Sequence, residues 1–209
     1  MDLNRNFPTN WNYTGGGSND PTTEIYRGIA PASEPEVRVL MKYFTSLPNV
    51  IAAFDIHSFS QLIMYPPSIP NGPDPSDLPT LRTIALGMAD RIAKSRGTKY
   101  TAERSYDLYP VSGDVVSWWR TVKPGNGTSG DGLLAYTIEL SPTDNAGAQG
   151  FILDPSNIMK VGPEIANGLA YAAGQMINVN SASKLSSFFA GALVPTIITT
   201  MSLVYASLL

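Results

Sequence analysis

Two residues in this sequence join useful chemistry to a suitable neighbourhood. His57, the only histidine, follows Val50 to Ile56, an apolar run broken only by Asp55, which reads as a strand buried on both faces of a sheet. Glu139 stands near the end of a second apolar run, Leu133 to Leu140, which follows a glycine-rich loop over 124–132. Active-site residues of α/β proteins gather at the carboxyl ends of strands, and both residues occupy such a place. A His and a Glu brought to adjacent strand ends are parts for metal-assisted hydrolysis, with the carboxylate as general base. The same two residues could equally be a hydrogen-bonded core imidazole and a surface carboxylate.

Composition narrows the field. The chain has 209 residues, 43% of them apolar and 15% charged, which is material for one globular domain rather than a disordered chain. A formal net charge of -3 without a Lys/Arg cluster excludes the electrostatic footprint of a nucleic-acid binder. With no cysteine, any metal must be held by His, Asp or Glu.

Several elements must position His57 and Glu139. Residues 8–33, rich in Pro, Gly, Asn, Ser and Thr, read as a surface loop. Ser33 and Glu36 have capping-box spacing, and Val37, Leu40, Met41, Phe44 and Leu47 follow on one helical face. Gln61 to Tyr65 reads as a second strand. Leu81, Ile84, Ala85, Met88 and Ile92 mark a helix that Gly97 ends. Residues 112–121 suggest a short helix, and Asp154-Pro155 opens another, with Ile158, Val161, Ile165 and Leu169 on one face, running to about Ile177. Alternation of strands and helices indicates an α/β sheet protein.

Five blocks, in order and spacing, resemble the zinc metallocarboxypeptidases of the carboxypeptidase A kind: Asp2 to Phe7; Tyr26-Arg27-Gly28 with Ser33 to Glu36; Ile56-His57-Ser58-Phe59-Ser60-Gln61; Tyr109 with Ser112-Gly113; and Thr137 to Leu140. The resemblance implies an incomplete three-layer α/β/α fold with a mixed sheet, lacking its N-terminal strands. It also implies roles. Asn4 and Arg5 match the pair that grips the substrate's terminal carboxylate, and a guanidinium fork does suit a carboxylate. His57 matches a zinc ligand and Glu139 the general base. Ser58 matches a groove residue, Tyr109 the tyrosine that closes over substrate, and Phe151 an aromatic at the groove. Val116 falls where the family sets its side-chain pocket, implying apolar C-terminal residues, because an apolar wall cannot compensate a buried cation. Asp114 close by would instead suit Lys or Arg. The implied partners are peptide and protein C-termini; a non-catalytic binder of such ends is the alternative.

The family's other zinc ligands, from an early His-x-x-Glu segment, have no match here, and catalytic zinc needs about three protein ligands. The expectation is therefore a chain that, alone, folds poorly around an unprotected edge strand at Val50 to Ile56, binds zinc weakly and is inactive. Residues 1–178 are expected to be part of the catalytic domain, 179–187 a polar spacer and 188–209 an uncharged hydrophobic tail, either a GPI-attachment signal or a membrane span. No signal peptide is recognisable at Met1. Two sequons, Asn12-Tyr13-Thr14 and Asn126-Gly127-Thr128, fit an extracytoplasmic or cell-surface protein.

Overall fold

The computed structural model describes residues 1–48, 50–122 and 133–187. The glycine-rich loop, the second sequon and the hydrophobic tail lie outside the described residues. Four strands form one mixed sheet: β1 (Ala52–Ser60), β2 (Leu62–Tyr65), β3 (Thr101–Arg104) and β4 (Leu134–Thr143). Their order is β1-β4-β2-β3, with β1 parallel to β4, β4 antiparallel to β2, and β2 parallel to β3. Among the described strands β1 is an edge, as the sequence implied.

Alternation along the strands builds two cores. Ala52 and Phe54 of β1, with Leu134, Tyr136 and Ile138 of β4, face helices α2 (Leu78–Arg96) and α5 (Ile158–Ser187), where Leu81, Met88, Ile92 and Met176 are buried. Ala53 and Ala135 point the opposite way, toward α1 (Pro35–Ser46) and α4 (Val115–Trp119), joining Val37, Phe44, Trp118 and Trp119. Phe44 lies 5.5 Å from each of the two indoles. The result is helix, sheet, helix, and a run buried on both faces is what β1 and β4 require.

Several local expectations are corrected. Ser33 does not cap α1; Glu34 is its N-cap residue, and its side chain makes no capping bond to the helix. The Ser33 hydroxyl instead donates to Glu34 and accepts from Asn6. β3 has no sequence counterpart above, since Thr-Ala-Glu-Arg shows no apolar alternation and lies at a sheet edge. The last helix continues past Ile177 to Ser187, across the expected spacer. Ile158 on its expected apolar face is exposed, while Glu164 is fully buried. Among the described residues no helix is long and apolar enough to cross a membrane.

Candidate active site

Register decides what meets what. In the β1–β4 ladder Ala53 pairs with Ala135, Asp55 with Thr137 and His57 with Glu139. With a side-chain period of two, Asp55, His57 and Glu139 share the face on which α1 and α4 pack. Paired positions on neighbouring strands are about 4.8 Å apart, so His57 and Glu139 are immediate neighbours. The ladder loses register between Ser58 and Ser60, where the strands diverge just beyond this pair.

A short 3-10 turn, Leu3–Arg5, lies across this strand end. Asn4 Nδ2 donates to Asp55 Oδ2 at 3.0 Å and lies 3.3 Å from His57 Nε2, while Asn4 Oδ1 accepts from the Val115 backbone N–H at 2.9 Å. Arg5 is buried, with Nη1 donating to the Asn4 carbonyl at 2.9 Å and lying 3.5 Å from Asp2 Oδ2. Its Nε is buried without a partner among the described residues. His57 Nε2 donates to Asp55 Oδ2 at 2.6 Å.

The electrostatics tie these groups together. Burial alone would push the His57 imidazole down, but the Asp55 hydrogen bond and the charges of Asp55, Glu139 and Asp2 outweigh it and hold it up at about 9. Burial pushes the Glu139 carboxyl up to about 7, against the opposing pull of His57 and Arg5. The Glu139 carboxyl thus lies within the field of both the imidazole and the guanidinium. A carboxyl titrating near neutrality can take up and release a proton at physiological pH, the property a general base needs.

The remaining candidates lie around this centre in different states. Ser58, next to His57, is exposed. Tyr109 is half exposed, in extended backbone just after the short helix α3 (Ser105–Leu108), which precedes α4 in the chain. Phe151 is 61% exposed rather than a core aromatic, and its ring meets Phe59 edge-on at 4.9 Å. Val116 is fully buried inside α4. Asp114 is the N-cap of that helix, accepting from Ser117 N–H at 2.8 Å, with its other oxygen buried and unpartnered among the described residues. Two surface hollows, about 360 Å³ near Trp11 and Arg27 and about 610 Å³ along α1 at Val39 and Tyr43, share none of these groups and carry no catalytic side-chain pairing.

Reading the run as a buried strand does not by itself single out Asp55 as a site residue. A carboxylate two positions before the histidine on one strand must share its face, and that spacing is the signal that finds it. Among the described residues no group of three or more His, Cys, Asp or Glu side chains could hold a metal ion by itself. The Asp55 bond to His57 Nε2 leaves the second ring nitrogen, and a carboxylate on one nitrogen is the arrangement that orients a metal-ligating imidazole, so His57 suits a single zinc ligand.

Comparisons with known proteins bear on the family and the fold. The chain is 33% identical over 166 residues to carboxypeptidase A1 of Rattus norvegicus, covering 78% of this chain and 36% of that protein. It is 30% identical over 178 residues to carboxypeptidase B of Bos taurus, covering 84% and 40%. The solved structure of bovine thrombin-activatable fibrinolysis inhibitor, in complex with tick carboxypeptidase inhibitor, superposes with a TM-score of 0.73 at 28% identity, over 85% of this chain and 57% of that one. The chain thus spans well under two thirds of these relatives. A family model described as zinc carboxypeptidase matches residues 1–168, and the chain belongs to that family.

Proposed function

We propose that this chain carries the substrate-binding and proton-transferring part of a site for zinc-dependent removal of C-terminal amino acids from peptides and proteins. The observation that carries the reading is Arg5: a buried guanidinium whose Nε has no acceptor among the described residues, within the field of Glu139. A polar atom buried without a partner costs about 1–3 kcal/mol, and an incoming carboxylate would relieve that cost. Asn4 adds a neutral group beside it, Tyr109 is free to close from its loop, and Ser58 and Phe151 border the groove. Glu139 is the base. Zinc, expected from the family, would need ligands from beyond the described residues, so the chain alone should bind it weakly and hydrolyse nothing. A calorimetric titration giving one tightly bound zinc, or hydrolysis by the isolated chain, would overturn that part.

The carboxylate grip is tested by titrating the chain with N-acetyl-phenylalanine and its C-terminal amide. A charge-assisted bond of about 1.5–3 kcal/mol predicts at least a tenfold preference for the acid, lost in Arg5→Met. Equal affinity for acid and amide would end the reading. Buried Val116, with Asp114 committed to capping α4, favours apolar C-terminal residues, so N-acetyl-phenylalanine should bind better than N-acetyl-arginine. The sole imidazole favours, as a second reading, a non-catalytic binder of peptide ends, which would keep the acid preference even where further metal ligands are supplied, and yet not cleave. Exposure of both Asn12 and Thr14 in the first sequon supports a cell-surface or extracellular location.

A further inference from the structure

We propose that Glu164, on the far side of the sheet from His57, is a positioning residue for Glu139, fixing the carboxyl end of β4 through Ser141 and Tyr100. The inference rests on Glu139 being the base. Glu164 is fully buried, and an ionised carboxylate is tolerated there only because every approach to it is a donor. Arg96 Nε donates at 2.7 Å, Thr98 Oγ1 at 2.8 Å, Ser141 Oγ at 3.0 Å and the Tyr100 hydroxyl at 3.3 Å. These donors come from the end of α2, the connection into β3, and β4 itself. One side chain of α5 therefore ties three segments together.

The tie falls where the sheet stops holding β4. The regular β1–β4 pairs end with His57–Glu139 and Ser58–Leu140, and the register then shifts. Immediately beyond, the Ser141 backbone N–H donates to Tyr100 Oη at 3.0 Å instead of to a strand. Ser141 Oγ also lies 3.3 Å from Gln61 Oε1, and the Gln61 N–H donates to the Leu140 carbonyl at 3.2 Å. Glu139 sits one residue before the last regular β1–β4 rung and at the end rung of the β2–β4 ladder, opposite Leu62, between His57 on one side and this network on the other. The cause is local: a strand leaving its ladder needs other partners for its backbone, and they are arranged around one buried charge.

Two variants test this, Tyr100→Phe, which removes the acceptor of the Ser141 N–H and the Tyr100 bond to Glu164 while leaving the Arg96–Glu164 pair, and Glu164→Gln, which weakens the bonds from both Tyr100 and Ser141. Hydrogen exchange is followed at single amides of the full chain, together with the side-chain carboxyl 13C signals of glutamate. Exchange at Glu139, Leu140 and Gln61 should quicken about fivefold or more, the factor equivalent to a lost bond of about 1 kcal/mol, while Ala135 and Tyr136 in the same strand stay within about twofold. The Glu139 carboxyl signal should move while those of exposed Glu24 and Glu36 do not. Uniform acceleration along β4, or no change at Glu139, would overturn the proposal, because a merely stabilising network loosens everything equally. Should Glu164→Gln fail to fold, Tyr100→Phe decides alone. Failure of the carboxypeptidase reading would show differently, as loss of the acid preference with the exchange pattern intact.

Discussion

Asp114 offers a prediction whose sign separates two accounts of one carboxylate. Burial pushes its carboxyl up, against the bonds from Ser117 and the nearby Arg5 charge, so the folded chain disfavours its ionised form. One oxygen caps α4 through Ser117 N–H; the other has no partner among the described residues. Asp114→Asn keeps an equally good cap and exchanges an unpaired buried charge for an unpaired neutral donor, which should stabilise the chain by about 1 kcal/mol at pH 7. Asp114→Ala removes the cap as well, losing about 1 kcal/mol for the helix and leaving the Ser117 N–H unsatisfied, so roughly 2 kcal/mol of destabilisation results. The sign follows from linkage. A carboxyl raised in the folded state costs stability once pH exceeds its ordinary 3.8, so the gain from Asn should fade as pH falls toward that value. Urea unfolding at pH 7 and pH 4 measures both variants. If Asn and Ala destabilise alike at pH 7, the charge is favourable where it stands, the attraction of Arg5 exceeds the burial cost, and the capping account fails. A selective loss of N-acetyl-arginine binding in Asp114→Asn would show that the carboxylate reads basic side chains.

Three further outcomes follow from the same contacts. Burial pushes the Glu164 carboxyl up, yet bonds from Arg96, Thr98 and Ser141 outweigh it and hold it below its ordinary 4.5, so its contribution is present above that pH and lost as pH falls through the folded value; Glu164→Gln should cost about 3 kcal/mol at pH 7 and flatten the acid limb of a Tm–pH curve. A parallel acid limb in the variant would refute this. Phe44→Ala, emptying the space between Trp118 and Trp119, should cost about 4 kcal/mol in urea, and a loss below about 1.5 kcal/mol would mean that α1 is not integrated with the second core. Tyr109→Ala should leave stability within about 0.5 kcal/mol, because the ring is half exposed, while weakening N-acetyl-phenylalanine binding; unchanged binding in a calorimeter would remove Tyr109 from the site.

What the sequence made legible is what periodicity and end signals encode. The apolar runs around Phe54 and Tyr136 became β1 and β4, and Leu81 to Ile92 became the buried face of α2, closed by Gly97 in the left-handed conformation. What it hid depends on partners brought from afar. Ser33 has the form of a helix cap, but Asn6 competes for it across the loop, and the tertiary bond wins. Glu164 follows Lys160 by one helical turn, a spacing that reads as an exposed ion pair, yet Lys160 stays exposed and Arg96 and Thr98 become the partners of Glu164 once α2 packs on α5. β3 is held by its pairing with β2 rather than by its own weak pattern.

The segment Asn4-Arg5-Asn6 shows why polar residues of this kind belong to function as well as fold. Asn4 joins β1 to α4 through Asp55 and Val115. Asn6, fully buried, donates to the Arg27 and Ala30 carbonyls and accepts from the Glu34 N–H, joining the long loop to α1. Arg5 lies between these two anchors. An arginine side chain free in solution carries about 2 kcal/mol of rotamer entropy, which a ligand would otherwise have to overcome on binding. With both neighbours fixed and its own stem buried, that entropy is lost during folding, which on the proposed reading prepares the guanidinium for a carboxylate. Arg5 Nη1 has the Asn4 carbonyl and Asp2 beside it, whereas Nε has no acceptor among the described residues; on the proposed reading a ligand carboxylate meets the remaining demand of the guanidinium.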